Sequence, residues 1–155
     1  MVTSARAPTP PVLTADGRAF LQARLDRATE RLLRVERDLG AERSEELLRE
    51  GWMLSAQVDE LSRLLAEAVA PREVRDDPTI VEVGDEVVVE LPDGSREVLL
   101  IVHPLEASMD EHRTSSEAPL ARAVLGHRPG ERVTVETPAG VHACTILERT
   151  RIDGS

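Results

Sequence analysis

Two stretches of the chain place their apolar residues at a spacing not found after them. The first runs Leu21, Leu25, Ala28, Leu32, Val35, Leu39, in steps that alternate four and three. The second runs Leu47, Gly51, Leu54, Val58, Leu61, Leu65, Ala68 in the same rhythm. That is the a/d seam of a heptad pattern, and neither stretch contains proline. A short polar break separates them, so they predict an antiparallel helical hairpin. Thr14 is the expected N-cap of the first helix, with Asp16 in the first turn where the helix dipole favours an anion. Gly40 is the expected C-cap, and Ser44 the start of the second helix. Helices of ~25 residues are ~37 Å long at 1.5 Å per residue, so the hairpin should project from the rest as an arm.

Pro71 stops the second helix, and a polar stretch follows. The period then changes to two. "TIVEVG", "EVVVELPDGSREVLLIV" and "ERVTVETPAGVHACTILERTRI" alternate apolar with polar and break at Pro-Asp-Gly and Pro-Ala-Gly, which predicts strands and hairpins. Between them, "SSEAPLARAVLG" reads as a short helix capped by Ser115 or Ser116 and ended by Gly126. The expected organisation is α+β. A flexible Pro-rich tail covers 1–12, an antiparallel coiled-coil arm 13–70, a linker 71–78 and a small β domain with one short helix 79–155.

Composition narrows the function classes. The 155-residue chain carries a formal net charge of −10, which disfavours non-specific binding to duplex nucleic acid. Residues 13–70 hold nine Arg against twelve acids and residues 71–155 nine against seventeen, so any nucleic-acid contact should come from the arm. Every basic residue is Arg, and Lys, Tyr and Asn are missing, a bias expected of a high-GC genome. The single Cys144 cannot form an internal disulfide, and no Cys/His spacing resembles a metal site. No apolar run reaches the ~18 residues of a membrane span, and the N-terminus lacks an apolar signal core. Cytoplasm is the default expectation.

The polar break is itself unusual. Six carboxylates gather there (Glu36, Asp38, Glu42, Glu45, Glu46, Glu50), and Gly51-Trp52 follows. A charge run between helices ordinarily marks a solvated turn. Gly51 on the seam should leave a hole that Trp52 either covers or stands beside as a contact residue. Arg24, Arg27, Arg31 and Arg34 share one helix face, either to pair with Asp26, Glu30, Asp59 and Glu60 or to meet an outside anion.

The C-terminal run "SSEAPLARAVLGHRPGERVTVETPAGVHACTILE" resembles the C-terminal domain of the bacterial Gre (GreA/GreB) family of transcription factors. Pro119-Leu120-Ala121-Arg122-Ala123-Val124-Leu125-Gly126 matches its Ser-Pro-hydrophobic-Ala-Arg run, with Ala118 in place of the usual Ser. Pro138-Ala139-Gly140 stands for its turn. "LTADGRAFLQARL" and "QVDELSRLLAEA" are similar to the family's helix opening and second-helix end. The resemblance spans roughly Leu13 to Ile152. It implies an FKBP-like domain that docks on the rim of the RNA polymerase secondary channel through Ala118, Pro119, Leu120 and Arg122. The arm would enter the channel, with Arg24, Arg27, Arg31, Arg34 and Trp52 toward its walls or the RNA 3′ end.

In cleavage factors of the family, a tip motif Asp-Leu-x-Glu-Asn-Ala-Glu-Tyr supplies two acids that help hold a second Mg²⁺ for hydrolysis of backtracked RNA. This chain departs there. Asp38-Leu39 stands for Asp-Leu, but "GAERSE" follows, and Glu42 comes one residue late. The first helix is also ~6 residues short of the family's, about 9 Å of reach. The candidate tip carboxylates are Asp38, Glu42, Glu45 and Glu46. The protein should own no cofactor or metal, and any Mg²⁺ would be shared with the polymerase. The leading expectation is a non-cleaving regulator or inhibitor, monomeric when free, and not itself an enzyme. The alternatives are a cleavage (anti-backtracking) factor, or a coiled-coil adaptor resembling the nucleoside diphosphate kinase regulators. Prolyl isomerase activity is excluded by its need for an aromatic pocket, since residues 71–155 contain no Phe, Tyr or Trp.

Overall fold

A computed structural model describes residues 10–74 and 77–152. Residues 1–9, most of the expected tail, lie outside the described residues. Thr14 caps α1 (Ala15–Ala41) as expected, its side chain accepting from the Gly17 N–H. Helix α2 (Glu45–Glu67) starts at Ser44, whose hydroxyl accepts from the Leu47 N–H at 3.4 Å. Leu21, Ala28 and Val35 of α1 and Gly51, Leu61 and Leu65 of α2 are buried along the seam, as the heptads require. The hairpin is closed at its base. Pro11 and Leu13 bracket Val69 through two 3.0 Å backbone bonds, so the chain is already held before the helix begins.

The arm departs from expectation at Gly40, and it decides between the two readings of Gly51-Trp52. Gly40 does not cap α1: it stays helical, the helix runs to Ala41, and the C-cap is Glu42, whose N–H donates to the Asp38 carbonyl. A glycine C-cap needs a positive φ, and Gly40 does not adopt one. Trp52 covers nothing, being 75% exposed. The space at Gly51 is methyl-sized: a Cβ built there would lie 3.4 Å from Val35 Cγ1 and 4.0 Å from Leu39 Cδ1, ordinary contact distances.

After one helical turn, α3 (Pro71–Val74), the chain enters a five-stranded mixed sheet. Its strands are β1 (Asp85–Glu90), β2 (Arg96–Val102), β3 (Arg113–Ser115), β4 (Arg132–Thr137) and β5 (Gly140–Arg151), in the order β3-β2-β1-β5-β4. Only β3 runs parallel to its neighbour. The twelve-residue β5 pairs with β4 along its first half and with β1 along its second, with a register shift between Val88 and Val89. That bulge and the change of partner curl the sheet. α4 (Pro119–Val124) packs into the curl, and Val87, Val89, Leu99, Ile101, Val124 and Ile146 lead a core that holds the Cys144 thiol and no aromatic residue. The molecule is α+β.

Two local expectations fail in this unit. "TIVEVG" forms no strand, because Val81 pairs instead with the loop after α4: its N–H donates to His127 and its carbonyl accepts from Gly126. Asp85 then turns the chain, its carboxylate accepting from the Glu82 N–H. Nor do Ser115 and Ser116 cap α4. Ser115 is the end of β3, and Ala118 occupies the cap without a side-chain bond, with Pro119 in the first turn where no N–H is needed.

Candidate functional site

Three surfaces hold the residues singled out by sequence. At the arm tip, a three-residue connection, Glu42-Arg43-Ser44, joins α1 to α2. Asp38, Glu42, Glu45 and Glu46 are all exposed. They are not gathered into a preformed centre: among the described residues, no three His, Cys, Asp or Glu side chains stand close enough together to hold a metal ion. Asp38 sits in the last turn of α1, where the helix dipole disfavours an anion, and no basic residue shares that turn. Glu45 and Glu46 occupy the first turn of α2, where the dipole favours them.

Along the arm, Arg24, Arg27 and Arg31 line one shallow groove of about 540 Å³, with Phe20, Leu54 and Gln57 beside them. Arg31 Nε donates to Glu50 Oε1 at 2.6 Å across the hairpin. This bond and the attraction of the Glu50 carboxylate push the Arg31 pKa upward. The acid that meets the stripe is therefore Glu50, not one of the four expected. Arg34 and Trp52 are exposed outside this groove. A second shallow depression of about 700 Å³ lies on α2 alone, between Glu46 and Glu60, with the 70% exposed Met53 in it.

On the sheet unit, Ala118, Pro119 and Leu120 form one wall of a groove of about 710 Å³. Arg122 is not in it. It lines a neighbouring depression with Glu117 and Glu136, and Pro119 is the ridge between the two. Sequence reasoning missed the opposite wall: Leu91, Val98 and Leu99 of the β1–β2 hairpin, with Val135, His142 and Cys144 below. On that wall Val98 is an apolar residue left 46% exposed, in the uncovered first half of β2 beside Arg96 and Glu97 and ahead of four buried residues. Burial pushes the Cys144 thiol above its ordinary pKa, with Glu97 adding to the effect, so it is a protonated apolar contact and a poor nucleophile. Among the described residues, no Phe, Tyr or Trp lines the groove.

Residues 76–151 match the family model described as "Transcription elongation factor, GreA/GreB, C-term". Over 155 aligned residues the chain is 36% identical to transcription elongation factor GreA of Chloroflexus aggregans, covering 90% of this chain and 96% of the relative. The chain belongs to the GreA/GreB family. GreA of Geobacillus kaustophilus is 36% identical over 88 residues, 56% of each chain. Among solved structures, this Gre-family chain is similar to Gfh1, a GreA factor homologue of Thermus thermophilus. The two are 26% identical with a TM-score of 0.40, covering 92% of this chain and 99% of that one. Among the described residues no helix is long and apolar enough to cross a membrane.

Proposed function

We propose that this Gre-family protein acts on bacterial RNA polymerase by docking its sheet unit outside the secondary channel and passing its arm inside, as a non-cleaving regulator of transcription. The groove behind Pro119 and Leu120 is the docking surface in this reading, and Arg122 flanks it. The Arg24–Arg27–Arg31 stripe, with Arg34, faces the channel wall or the RNA 3′ end, and Trp52 contacts the wall. The observation that carries the reading is the tip. Its carboxylates are exposed and spread over the end of α1, the connection and the start of α2. Two-metal hydrolysis needs its acids placed to within about 1 Å, and a spread tip lacks that placement. What remains is a negative plug on a rod about 40 Å long, able to repel an incoming nucleotide or draw Mg²⁺ away. The only metal in this scheme is the polymerase's own Mg²⁺, and the setting is the cytoplasm.

A second reading is transcript cleavage, supported by the number of tip acids and by relatives named as GreA elongation factors. The test is RNA cleavage in backtracked elongation complexes, with wild type and Asp38→Ala/Glu42→Ala, and run-off synthesis followed in the same tubes. No added cleavage and reduced run-off is the expected result. Cleavage that rises with wild type and disappears with the double variant would replace the first reading by the second. No effect on either would favour a coiled-coil adaptor.

A further inference from the structure

The joint between arm and sheet unit holds a buried acid that none of the surfaces above uses. Glu106 begins a 3₁₀ turn, Glu106–Ser108, between β2 and β3, and its side chain is fully buried. Both carboxylate oxygens go to one residue of the arm. The Thr14 N–H donates to Oε2 at 3.0 Å, and the Thr14 hydroxyl donates to Oε1. That hydroxyl in turn accepts from the Gly17 N–H at 3.0 Å, so the N-cap of α1 is linked to an acid 92 residues away. Burying a carboxylate is costly unless it is fully bonded or faces positive charge. Here the α1 N-terminus supplies positive dipole, and Arg113 Nε lies 3.8 Å away, while Arg113 Nη2 is 3.6 Å from Asp16.

Space for the acid is made by the arm. A Cβ at Gly17 would lie 1.9 Å from Glu106 Cδ and 2.2 Å from its Cγ, so only glycine fits beneath it. The neighbouring Leu105 packs on the arm-base cluster of Leu13, Leu21, Leu61 and Leu65. His103 Nδ1 accepts from the Leu105 N–H at 3.1 Å and so fixes the start of the turn, while burial keeps the imidazole below its ordinary pKa.

We propose that Glu106, seated over Gly17 and bonded to Thr14, is the positioning residue that fixes the direction in which the arm leaves the sheet unit. Its functional consequence rests on the channel-insertion reading; the joint itself does not. Geometry makes direction decisive, because a tilt of about 10° at the base moves the end of a 27-residue helix by about 7 Å. An acid at the tip would then miss a target that a rigid arm reaches.

The experiment is an electron-spin distance measurement on the full chain. Labels sit on Arg37→Cys in the arm and Thr134→Cys on β4, in a Cys144→Ala background. Wild type gives one narrow distribution. Glu106→Ala and Gly17→Ala each broaden it roughly twofold, and the double variant is no broader than either alone, because both remove the same contact. Glu106→Gln, which keeps the shape and an acceptor, falls between. Gly17→Ala separates positioning from folding: alanine is the better helix former, so helix content by circular dichroism is retained or rises while the arm loosens.

In the same two variants polymerase binding persists, while the effect on run-off falls about tenfold, as expected for a displaced tip. An unchanged width in both Glu106→Ala and Gly17→Ala would overturn the joint. Broadening with an undiminished run-off effect would overturn its positioning role. A wild type that never binds polymerase would instead sink the channel reading, and the distance data would still decide the joint.

Discussion

The base and the tip of the arm are made of the same two helices and are built in opposite ways. At the base the helix ends are tied to each other or to the sheet. Arg18 donates to the Leu65 and Ala68 carbonyls, two of the last acceptors of α2, at 3.0 and 2.8 Å. Thr14 serves α1 and Glu106 together, and Leu13 and Leu21 are 2% and 0% exposed. At the tip only Ser44 caps a helix, by a long 3.4 Å bond. Six acids stand there against Arg37, Arg43 and Arg49, and two of them, Asp38 in the last turn and Glu42 at the C-cap, oppose the α1 dipole. The difference teaches that stability is invested where direction is set, while the tip is left solvated and available for an outside partner.

Truncating the seam at the two ends breaks this comparison most strongly. Leu21→Ala should lower unfolding free energy by about 2–5 kcal/mol, the range for emptying a fully buried leucine site. Leu39→Ala, half-buried near the tip, should lower it by about 1 kcal/mol, in proportion to the smaller apolar area lost. Urea unfolding of the full chain measures both, and equal losses would mean that base and tip are equally packed. Gly51→Ala tests the space between. Its Cβ would meet Val35 at ordinary contact distance, so the helix-propensity gain should prevail and stabilise the chain by about 0.5–1 kcal/mol. A loss instead would show that close approach of the helices at Gly51 is required.

Sequence made the arm legible because its determinants are local and periodic. Heptad spacing marks the seam, and Thr14 precedes the first turn it caps. The sheet was legible as alternation, but alternation does not assign partners. "TIVEVG" alternates as well as β1 does, yet its backbone is taken by the loop after α4. β3 has three residues and gains its place only by lying parallel to β2, so no local pattern announces it. The tip acids were visible as composition, whereas their lack of convergence is a matter of distance. The far wall of the Pro119 groove comes from strands scattered over fifty residues. Glu106 was invisible for the same reason: an acid in a loop reads as solvated until Thr14 and Gly17 are brought against it.

The smallest effect is the one that sharpens the tip. Asp38 lies at the C-terminal end of α1, and Glu45 and Glu46 at the N-terminal end of α2, so the two dipoles act on them with opposite sign. Asp38→Asn should therefore raise stability by about 0.3–0.5 kcal/mol, and Glu45→Gln/Glu46→Gln should lower it by a similar amount. Both shifts should shrink as salt rises toward 1 M, where the screening length falls to about 3 Å. Thermal unfolding of the three proteins at low and high salt measures the signs. If both substitutions stabilise, mutual repulsion among the acids outweighs the helix ends, and the tip is strained throughout its charge. If the signs differ as expected, Asp38 stands, with the C-cap Glu42 next to it, against the α1 dipole. That would make Asp38 a tip acid whose retention folding does not explain, and the first to replace in an assay with polymerase.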